Sequence, residues 1–170
     1  MKVLITGSPG SGKTTIADAL STAGFNSYDG EAVDGLIRLE IATTGEPADW
    51  PEGHVDWDYY AWNIQADVLT KLLASKEAIF VAMSTSNLSE FKPYFDKVIV
   101  LSVNNEALGR RLRARTTHEF GQTETNIQRW VDRNRSVTEK HAQEGGVVLD
   151  SSKPISEVIQ DILSVCGIAA

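Results

Sequence analysis

Five short apolar runs alternate with helical patterns along this chain. The runs occupy residues 2–6, 25–28, 78–83, 97–103 and 147–150. They are too uniformly apolar to be strands with one face in water, so they predict a five-stranded parallel sheet covered by helices on both sides. In such sheets, ligands bind beyond the carboxyl ends of the strands. We therefore expect a single three-layer α/β/α domain over residues 1–170, with its functional residues directly after strands.

The helical patterns lie between these runs. Apolar residues at helical spacing predict helices over residues 13–23, 32–42, 59–74, 106–115, 125–142 and 155–165. Isoleucine and leucine residues carry both the second and the third of these patterns. Between those two, residues 43–55 contain two glycines and two prolines, which indicates a loop.

A glycine-rich loop joins the first strand to the first helix. Residues 7–14, Gly-Ser-Pro-Gly-Ser-Gly-Lys-Thr, match the phosphate-loop pattern G-x-x-x-x-G-K-[ST] in full. Glycines let the backbone N–H groups face a phosphate, and the following helix adds its dipole. Lys13 would reach the β- and γ-phosphates, and Thr14 would hold Mg²⁺. The predicted nucleotide-binding residues here are Gly7, Ser8, Pro9, Gly10, Ser11, Gly12, Lys13, Thr14 and Thr15.

This loop, at the start of a compact chain, resembles that of the P-loop nucleoside and nucleotide kinases, such as adenylate kinase and shikimate kinase. The resemblance implies a P-loop kinase fold with a short lid, ATP and Mg²⁺ as cofactors, and transfer of the γ-phosphoryl group to a hydroxyl of a small acceptor. The chain has neither the N-K-x-D motif of GTPases nor the L-S-G-G-Q motif of transport ATPases. A nucleoside monophosphate kinase, an ATP-binding regulator without metabolite kinase activity, and a kinase of nucleic-acid ends or proteins remain alternatives.

Two acids directly follow the second strand. Asp29 and Glu31 are similar in spacing to the Asp-x-Asp of shikimate-kinase-like enzymes, which implies a base or magnesium-side role for Asp29 and substrate binding for Glu31. A turn and helix cap is the other interpretation. Many relatives carry Asp-Gly after the third strand, where this chain has residues 83–87, Met-Ser-Thr-Ser-Asn. Ser84 and Asn87 either bind substrate or cap a turn.

Residues 29–62 are the predicted acceptor-binding region. Between positions 29 and 58 there are nine acids and a single base, Arg38, for a net charge of −8. A phosphorylated acceptor needs cationic side chains, so we expect a neutral or cationic hydroxylated acceptor, with Arg38 among its contacts. Aromatic residues cluster in the same region, and Trp57 and Tyr60 either stack on the acceptor or pack a helix onto the sheet. His54 is interpreted as a polar loop residue.

Seven of the eight arginines fall between positions 110 and 135. Arg111 and Arg115 lie one turn apart and resemble the R-x-x-x-R of nucleotide kinases, which implies that Arg111 stacks on adenine and Arg115 contacts phosphates. Residues 115–133 would form the lid region, with a short lid near 116–123 that includes His118 and Gly121. Arg129 and Arg133 are candidate catalytic cations. A solvated helix face is the competing interpretation for all of these arginines.

The run 147–150 ends in an acid, Asp150. By resemblance it leads into a loop beside the adenine, with Ser152 and Pro154 as nucleotide contacts; the alternative is a metal-site acid.

Overall charge and composition exclude several classes of protein. The chain has 170 residues with 23 acids, 16 bases and a net charge of −7, which argues against a broad nucleic-acid or membrane surface. One cysteine, Cys166, excludes an internal disulfide. The absence of a membrane span or signal-peptide core predicts a cytoplasmic protein. The sequence leaves the choice between monomer and dimer open.

Overall fold

The computed structural model describes residues 1–51, 56–74, 77–115 and 123–169. The strands are β1 Lys2–Thr6, β2 Asn26–Asp29, β3 Ile37–Ile41, β4 Tyr60–Ile64, β5 Ile79–Ala82, β6 Lys97–Ser102 and β7 Val147–Asp150. The helices are α1 Lys13–Thr22, α2 Ala66–Leu72, α3 Leu88–Phe91, α4 Asn105–Arg113, α5 Glu124–Gln143 and α6 Ile155–Cys166.

The central sheet is five-stranded and parallel, with strand order β2-β5-β1-β6-β7. The predicted three-layer α/β/α fold is therefore confirmed. The middle strand β1 shows why helices must cover both faces of the sheet. Successive side chains of a strand point to opposite faces; Val3 and Ile5 join a core with α1 and α6, whereas Leu4 joins a second core that includes Leu69 of α2 and Leu88 of α3.

The predicted helices over residues 32–42 and 59–74 are wrong for most of their length. The chain makes a short 3₁₀ turn at Gly30–Ala32 and then the antiparallel hairpin β3–β4, in which Leu39 lies opposite Trp62; only Ala66–Leu72 is helical in the second segment. Strand β3 also alternates Ile-Arg-Leu-Glu-Ile. This alternation with a period of two is typical of a strand, although the same residues also fit helical spacing. Pairing with β4 decides in favour of the strand.

Side chains that follow β5 fasten the hairpin to the end of the sheet. The backbone N–H of Trp62 donates to Ser86 Oγ at 3.0 Å, and the N–H of Ser86 donates to the Trp62 carbonyl at 2.8 Å. Asn87 Oδ1 accepts from the N–H of Ile64 at 2.9 Å, and its Nδ2 donates to the Ile64 carbonyl at 3.3 Å. The hairpin therefore lies beyond the carboxyl end of β5, at the edge of the sheet where ligands bind in such folds.

Among the residues that the structure describes, no helix combines the length and the apolar character needed to cross a lipid bilayer.

Candidate active site

The glycine-rich loop between β1 and α1 is tightly enclosed. A Cβ atom at Gly7 would lie 2.5 Å from the Leu101 carbonyl oxygen of β6. Gly10 has φ +84°, and a Cβ there would lie 3.0 Å from methyl carbons of both Leu108 and Leu112 on α4. Only glycine meets both demands without strain. Glycine at these two positions permits the tight backbone path that a phosphate cradle needs. Ser8 and Ser11 are buried in it, and Thr14 and Thr15 are exposed on the first turn of α1.

Lys13 folds back over this loop. Its Nζ donates to the carbonyl oxygens of Gly7 at 3.0 Å and Ser8 at 3.2 Å. Burial lowers the pKa of Lys13 to about 8; the charges of Glu31 and Asp29 oppose that shift, and the charge of Arg115 adds to it. Lys13 therefore lies within electrostatic reach of Asp29, Glu31 and Arg115.

Asp29 has one hydrogen bond and one electrostatic interaction, which correspond to its two sequence interpretations. Its Oδ1 accepts from the N–H of Glu31 at 3.1 Å, so the side chain caps the 3₁₀ turn after β2. Its charge also acts on Lys13. A turn cap can therefore hold the carboxylate where a cation or a hydroxyl would meet it.

The donors near the phosphate loop suit magnesium. The described residues contain no cluster of three or more His, Cys, Asp or Glu side chains that could hold a metal by themselves. Mg²⁺ usually takes one or two protein oxygens together with substrate phosphates. The Thr14 hydroxyl and the Asp29 carboxylate are oxygen donors of that kind.

Arg111 joins the phosphate loop to the loop after β7. Its Nη2 donates to the Ser151 carbonyl at 2.8 Å, while its Nη1 lies 3.4 Å from the Ser11 carbonyl oxygen and 3.5 Å from that of Gly10. The adenine and phosphate subsites predicted for this chain are therefore physically linked through one guanidinium group. Stacking of Arg111 on adenine stays a prediction.

The loop after β7 is organised by Asp150. Its Oδ1 accepts from the Ser152 N–H at 2.8 Å and from the Ser152 hydroxyl at 2.6 Å. These hydrogen bonds lower the pKa of Asp150. The contacts favour a loop-shaping role for Asp150 over a metal-site role. Pro154 immediately precedes α6 and is exposed.

Arg129 and Arg133 lie on α5. They line an open groove of about 620 Å³ along α5, together with Asp132. The opposite face of α5 packs through Ile127 and through Asn134, whose Nδ2 donates to the Val103 carbonyl at 2.7 Å. No contact among the described residues joins either arginine to the phosphate loop, so their catalytic role stays a prediction.

Three other arginines fit the solvated-face interpretation. Arg110, Arg113 and Arg135 are exposed and form ion pairs with Glu106, Glu124 and Glu139, respectively. The lid residues 116–122, which include His118 and Gly121, lie outside the described part of the chain, as does His54.

On the acceptor side, the hairpin carries a polar network that the sequence did not indicate. Arg38 is bound to Glu40, which also receives hydrogen bonds from Asn63 and Gln65. A prediction of two paired strands here would have placed Arg38, Glu40 and Asn63 on one face of the hairpin, because residues i and i+2 of a strand share a face.

The remaining predicted acceptor residues are only partly brought together. Asn87 anchors the hairpin, and Ser84 is half-buried after β5. Tyr60 packs edge-to-face on Tyr59 with ring centroids 4.8 Å apart, and Trp57 is half-buried. The Asn87 side chain makes no capping hydrogen bond at the start of α3 and binds the Ile64 backbone instead, so the turn-capping interpretation is wrong for this residue. Stacking of Trp57 and Tyr60 stays a prediction.

Comparison with known proteins places this fold. A family model described as AAA domain matches residues 3–141. Shikimate kinase from Acinetobacter baumannii, in complex with shikimate, aligns with a TM-score of 0.65 and 19% identity over 97% of this chain and 92% of that one. Deoxyadenosine kinase from M. mycoides with bound dATP aligns with a TM-score of 0.55 and 14% identity over 98% and 99%. A sugar kinase from Janibacter sp. aligns with a TM-score of 0.53 and 19% identity over 99% and 95%.

No curated protein matches this chain by sequence. Sequence identities below 20% to these solved structures establish only a shared fold. The family model, in contrast, matches most of the chain and so shows the family. The chain therefore belongs to the AAA domain family, and it has the P-loop fold found in small-molecule kinases.

Proposed function

We propose that this protein is an ATP-dependent phosphotransferase that moves the γ-phosphoryl group of ATP to a hydroxyl of a small molecule. The observation that carries the proposal is a complete phosphate loop whose lysine, Lys13, lies within electrostatic reach of Arg115, Asp29 and Glu31. Cations suit the transferring phosphoryl group, and carboxylates suit the attacking hydroxyl. The activities named for the structural relatives agree with this proposal.

Lys13 supplies positive charge where the phosphoryl group moves. Its Nζ now donates to the carbonyls of Gly7 and Ser8, and bound ATP would offer phosphate oxygens in their place. With a pKa of about 8, Lys13 is mainly charged at neutral pH. A charge shielded from water interacts more strongly with its partner than an exposed one. Arg115 adds a second cation on the same site.

Magnesium, when bound, would neutralise part of the negative charge on the phosphates. The Thr14 hydroxyl and the Asp29 carboxylate are the residues of this chain that would hold it.

Asp29 and Glu31 orient the acceptor. In a loose phosphoryl transfer the attacking hydroxyl loses its proton late, so correct placement contributes much of the rate. Asp29 Oδ1 is held by the Glu31 N–H. When Asp29 does not hold magnesium, its Oδ2 is left to accept a hydrogen bond, and finally the proton, from the acceptor hydroxyl.

The acceptor is proposed to be a neutral or cationic small molecule. Residues 29–58 contain nine acids and one arginine, and that arginine is already paired with Glu40. Bound anions, including a nucleic-acid backbone, would meet net repulsion there. Arg129 and Arg133 remain proposed as cations of the lid region, and the reaction is assigned to the cytoplasm.

An ATP-coupled screen tests this function. Purified protein is assayed with nucleosides, nucleoside monophosphates, sugars, shikimate and aminoglycosides, and Lys13→Ala serves as the inactive control. Acceptor-dependent ADP release is the expected result. ATP consumption that no acceptor changes would instead favour an ATP-binding regulator, and turnover of monophosphates alone would contradict the proposed charge preference.

A further inference from the structure

A carboxylate is buried inside the polar face of the β3–β4 hairpin. Glu40 is only 7% exposed. Its Oε1 accepts from Arg38 Nη2 at 2.6 Å and from Gln65 Nε2 at 2.9 Å, and its Oε2 accepts from Asn63 Nδ2 at 2.8 Å. Arg38 Nε also donates to Oε1, at 3.2 Å. One buried carboxylate thus holds three side chains: Arg38 of β3, Asn63 of β4, and Gln65, which directly follows β4.

The network has no net charge. Burial of Glu40 opposes its ionisation, but hydrogen bonds from Asn63, Arg38 and Gln65 outweigh that effect and lower the pKa of the carboxyl group. The negative carboxylate and the positive guanidinium therefore cancel. A buried charge is tolerated when it is paired and fully hydrogen-bonded, as here.

Glu40 also determines which atoms of its partners remain available. Asn63 and Gln65 both direct their amide nitrogens to Glu40, so their Oδ1 and Oε1 atoms accept no hydrogen bond from the described residues. Arg38 uses Nε and Nη2 on Glu40 and keeps Nη1. All three side chains are at least partly exposed above the buried carboxylate. The surface accordingly offers one donor group and two acceptor oxygens in fixed positions.

That combination is complementary to hydroxyl groups. A hydroxyl both donates and accepts, so neighbouring hydroxyls can satisfy amide oxygens and a guanidinium N–H together. A carboxylate or phosphate only accepts, so it would leave both amide oxygens unpaired. An ammonium group only donates, so it could pair with the amide oxygens but would leave the guanidinium Nη1 without an acceptor and be repelled by its charge.

The network belongs to the same edge of the sheet as the phosphate loop. Ser86 and Asn87 fasten β4 beyond the carboxyl end of β5. Strand β5 lies between β1, which leads into the phosphate loop, and β2, which ends at Asp29.

We propose that Arg38, Asn63 and Gln65 bind the hydroxyl groups of a neutral polyhydroxylated acceptor, a sugar or polyol, and that Glu40 is the positioning residue that orients them. This inference rests on the proposed phosphotransferase function, of which it specifies the acceptor.

The first test compares acceptors of matched size in the ATP-coupled assay. Neutral hexoses, pentoses and their alditols are compared with gluconate, shikimate and nucleoside monophosphates. We expect turnover of at least one neutral compound and none of the anions. Turnover of anions alone overturns the inference and leaves the phosphotransferase function standing. ATP binding without turnover of any compound contradicts the phosphotransferase function itself.

The second test uses variants of the network. With the neutral acceptor found above, Glu40→Gln and Gln65→Ala are each expected to raise the acceptor KM about tenfold, the effect of losing one well-placed hydrogen bond. The ATP KM should remain unchanged, because neither residue contacts the phosphate loop. Thr70→Ala, an exposed change on α2 that removes one hydroxyl bond to the Ala66 carbonyl, is the matched control.

The comparison of KM with stability separates binding from a purely structural role. A lower melting temperature with an unchanged acceptor KM in both variants would mean that the network only holds the hairpin together, and would overturn the inference. If Glu40→Gln does not fold, Gln65→Ala alone decides, since it leaves Glu40 paired with Arg38 and Asn63.

Discussion

The two halves of the proposed site are built in different ways. The nucleotide half comprises the phosphate loop of residues 7–15, Arg111 and the loop of residues 150–154. The acceptor half comprises the β3–β4 hairpin and residues 83–87. The first relies mainly on one continuous stretch of backbone in which Gly7 and Gly10 have no room for side chains. The second relies on side chains that meet across 23 to 25 residues of sequence, as Asn63 and Gln65 meet Glu40.

This difference explains what each half can do. A backbone cradle recognises a phosphate group whatever is attached to it, because N–H groups are common to all residues. A side-chain network can be changed residue by residue, so it suits the choice of acceptor. The comparison predicts that substitutions in the nucleotide half alter ATP binding and catalysis, whereas those in the acceptor half raise the acceptor KM and leave the ATP KM unchanged.

Loss of Lys13 should have the largest effect. Lys13→Ala removes the cation nearest the phosphate loop, and we expect kcat/KM to fall about a thousandfold, comparable to removing a preorganised transition-state contact. Lys71→Ala, at an exposed position on α2, is the control and should retain full activity. Steady-state kinetics with either substrate varied gives the measurement, and appreciable turnover by Lys13→Ala would contradict the mechanism.

Gly10→Ala should be the next largest effect. The new Cβ would meet Leu108 and Leu112 at 3.0 Å with φ at +84°, so we expect a loss of about 2–4 kcal/mol in the free energy of unfolding and weaker ATP binding. Gly45→Ala has a similar φ of +72° but nothing within 4 Å, so it should cost only about 1 kcal/mol.

Urea unfolding and ATP titration of Gly10→Ala and Gly45→Ala separate crowding from backbone strain. If the two variants lose the same free energy of unfolding, the close packing of α4 against Gly10 contributes nothing to the destabilisation of Gly10→Ala.

Asn87→Ala tests the acceptor half. It removes two hydrogen bonds to the Ile64 backbone, and we expect a destabilisation of about 1–3 kcal/mol. Because the hairpin would shift, the acceptor KM should rise severalfold while the ATP KM stays constant. Thr22→Ala, which removes one exposed hydroxyl bond in α1, is the control. An increase in the ATP KM of Asn87→Ala would show that the two halves are not independent.

The lowered pKa of Lys13 predicts modest changes with pH in the affinity for ATP and in the free energy of unfolding. The two changes should have opposite directions. As pH rises through about 8, Lys13 loses its charge in the folded protein, so ATP affinity should fall severalfold. The unfolded chain keeps this proton up to about 10.5, so Lys13's contribution to the free energy of unfolding should increase between these two values.

Calorimetric titration with ATP and thermal unfolding between pH 7 and 9.5 measure both trends, with Lys13→Met as the reference. If Lys13→Met shows the same changes of ATP affinity and melting temperature with pH, the changes arise from other titratable groups and the prediction is wrong.

The sequence indicated much of the nucleotide half because its geometry is local. The spacing of Gly7, Gly10, Lys13 and Thr14 fixes a turn and a helix start within eight residues, so no distant partner is needed to recognise it. Arg111 and Asp29 could be placed in the site by resemblance, but their contacts with the Ser151 carbonyl and the Glu31 N–H could not.

The acceptor half was harder to predict because strand pairing is non-local. Ile37 and Ile41 fit both helical spacing and a strand, and only the register of β3 against β4 resolves the ambiguity. Because the spacing in residues 32–42 favours a helix, the sequence did not predict that Arg38, Glu40 and Asn63 share one face of a hairpin. Similarly, the spacing of Arg129 and Arg133 showed that they share a helix face but not which way that face points.

The sequence by itself determined the parallel sheet and the phosphate loop, since apolar runs and glycine spacing impose them through local sterics and burial. Only the tertiary structure decided the hairpin, the buried Glu40 network and the link that Arg111 makes between two loops. These features depend on contacts between distant segments, and such contacts form only where packing brings the segments together.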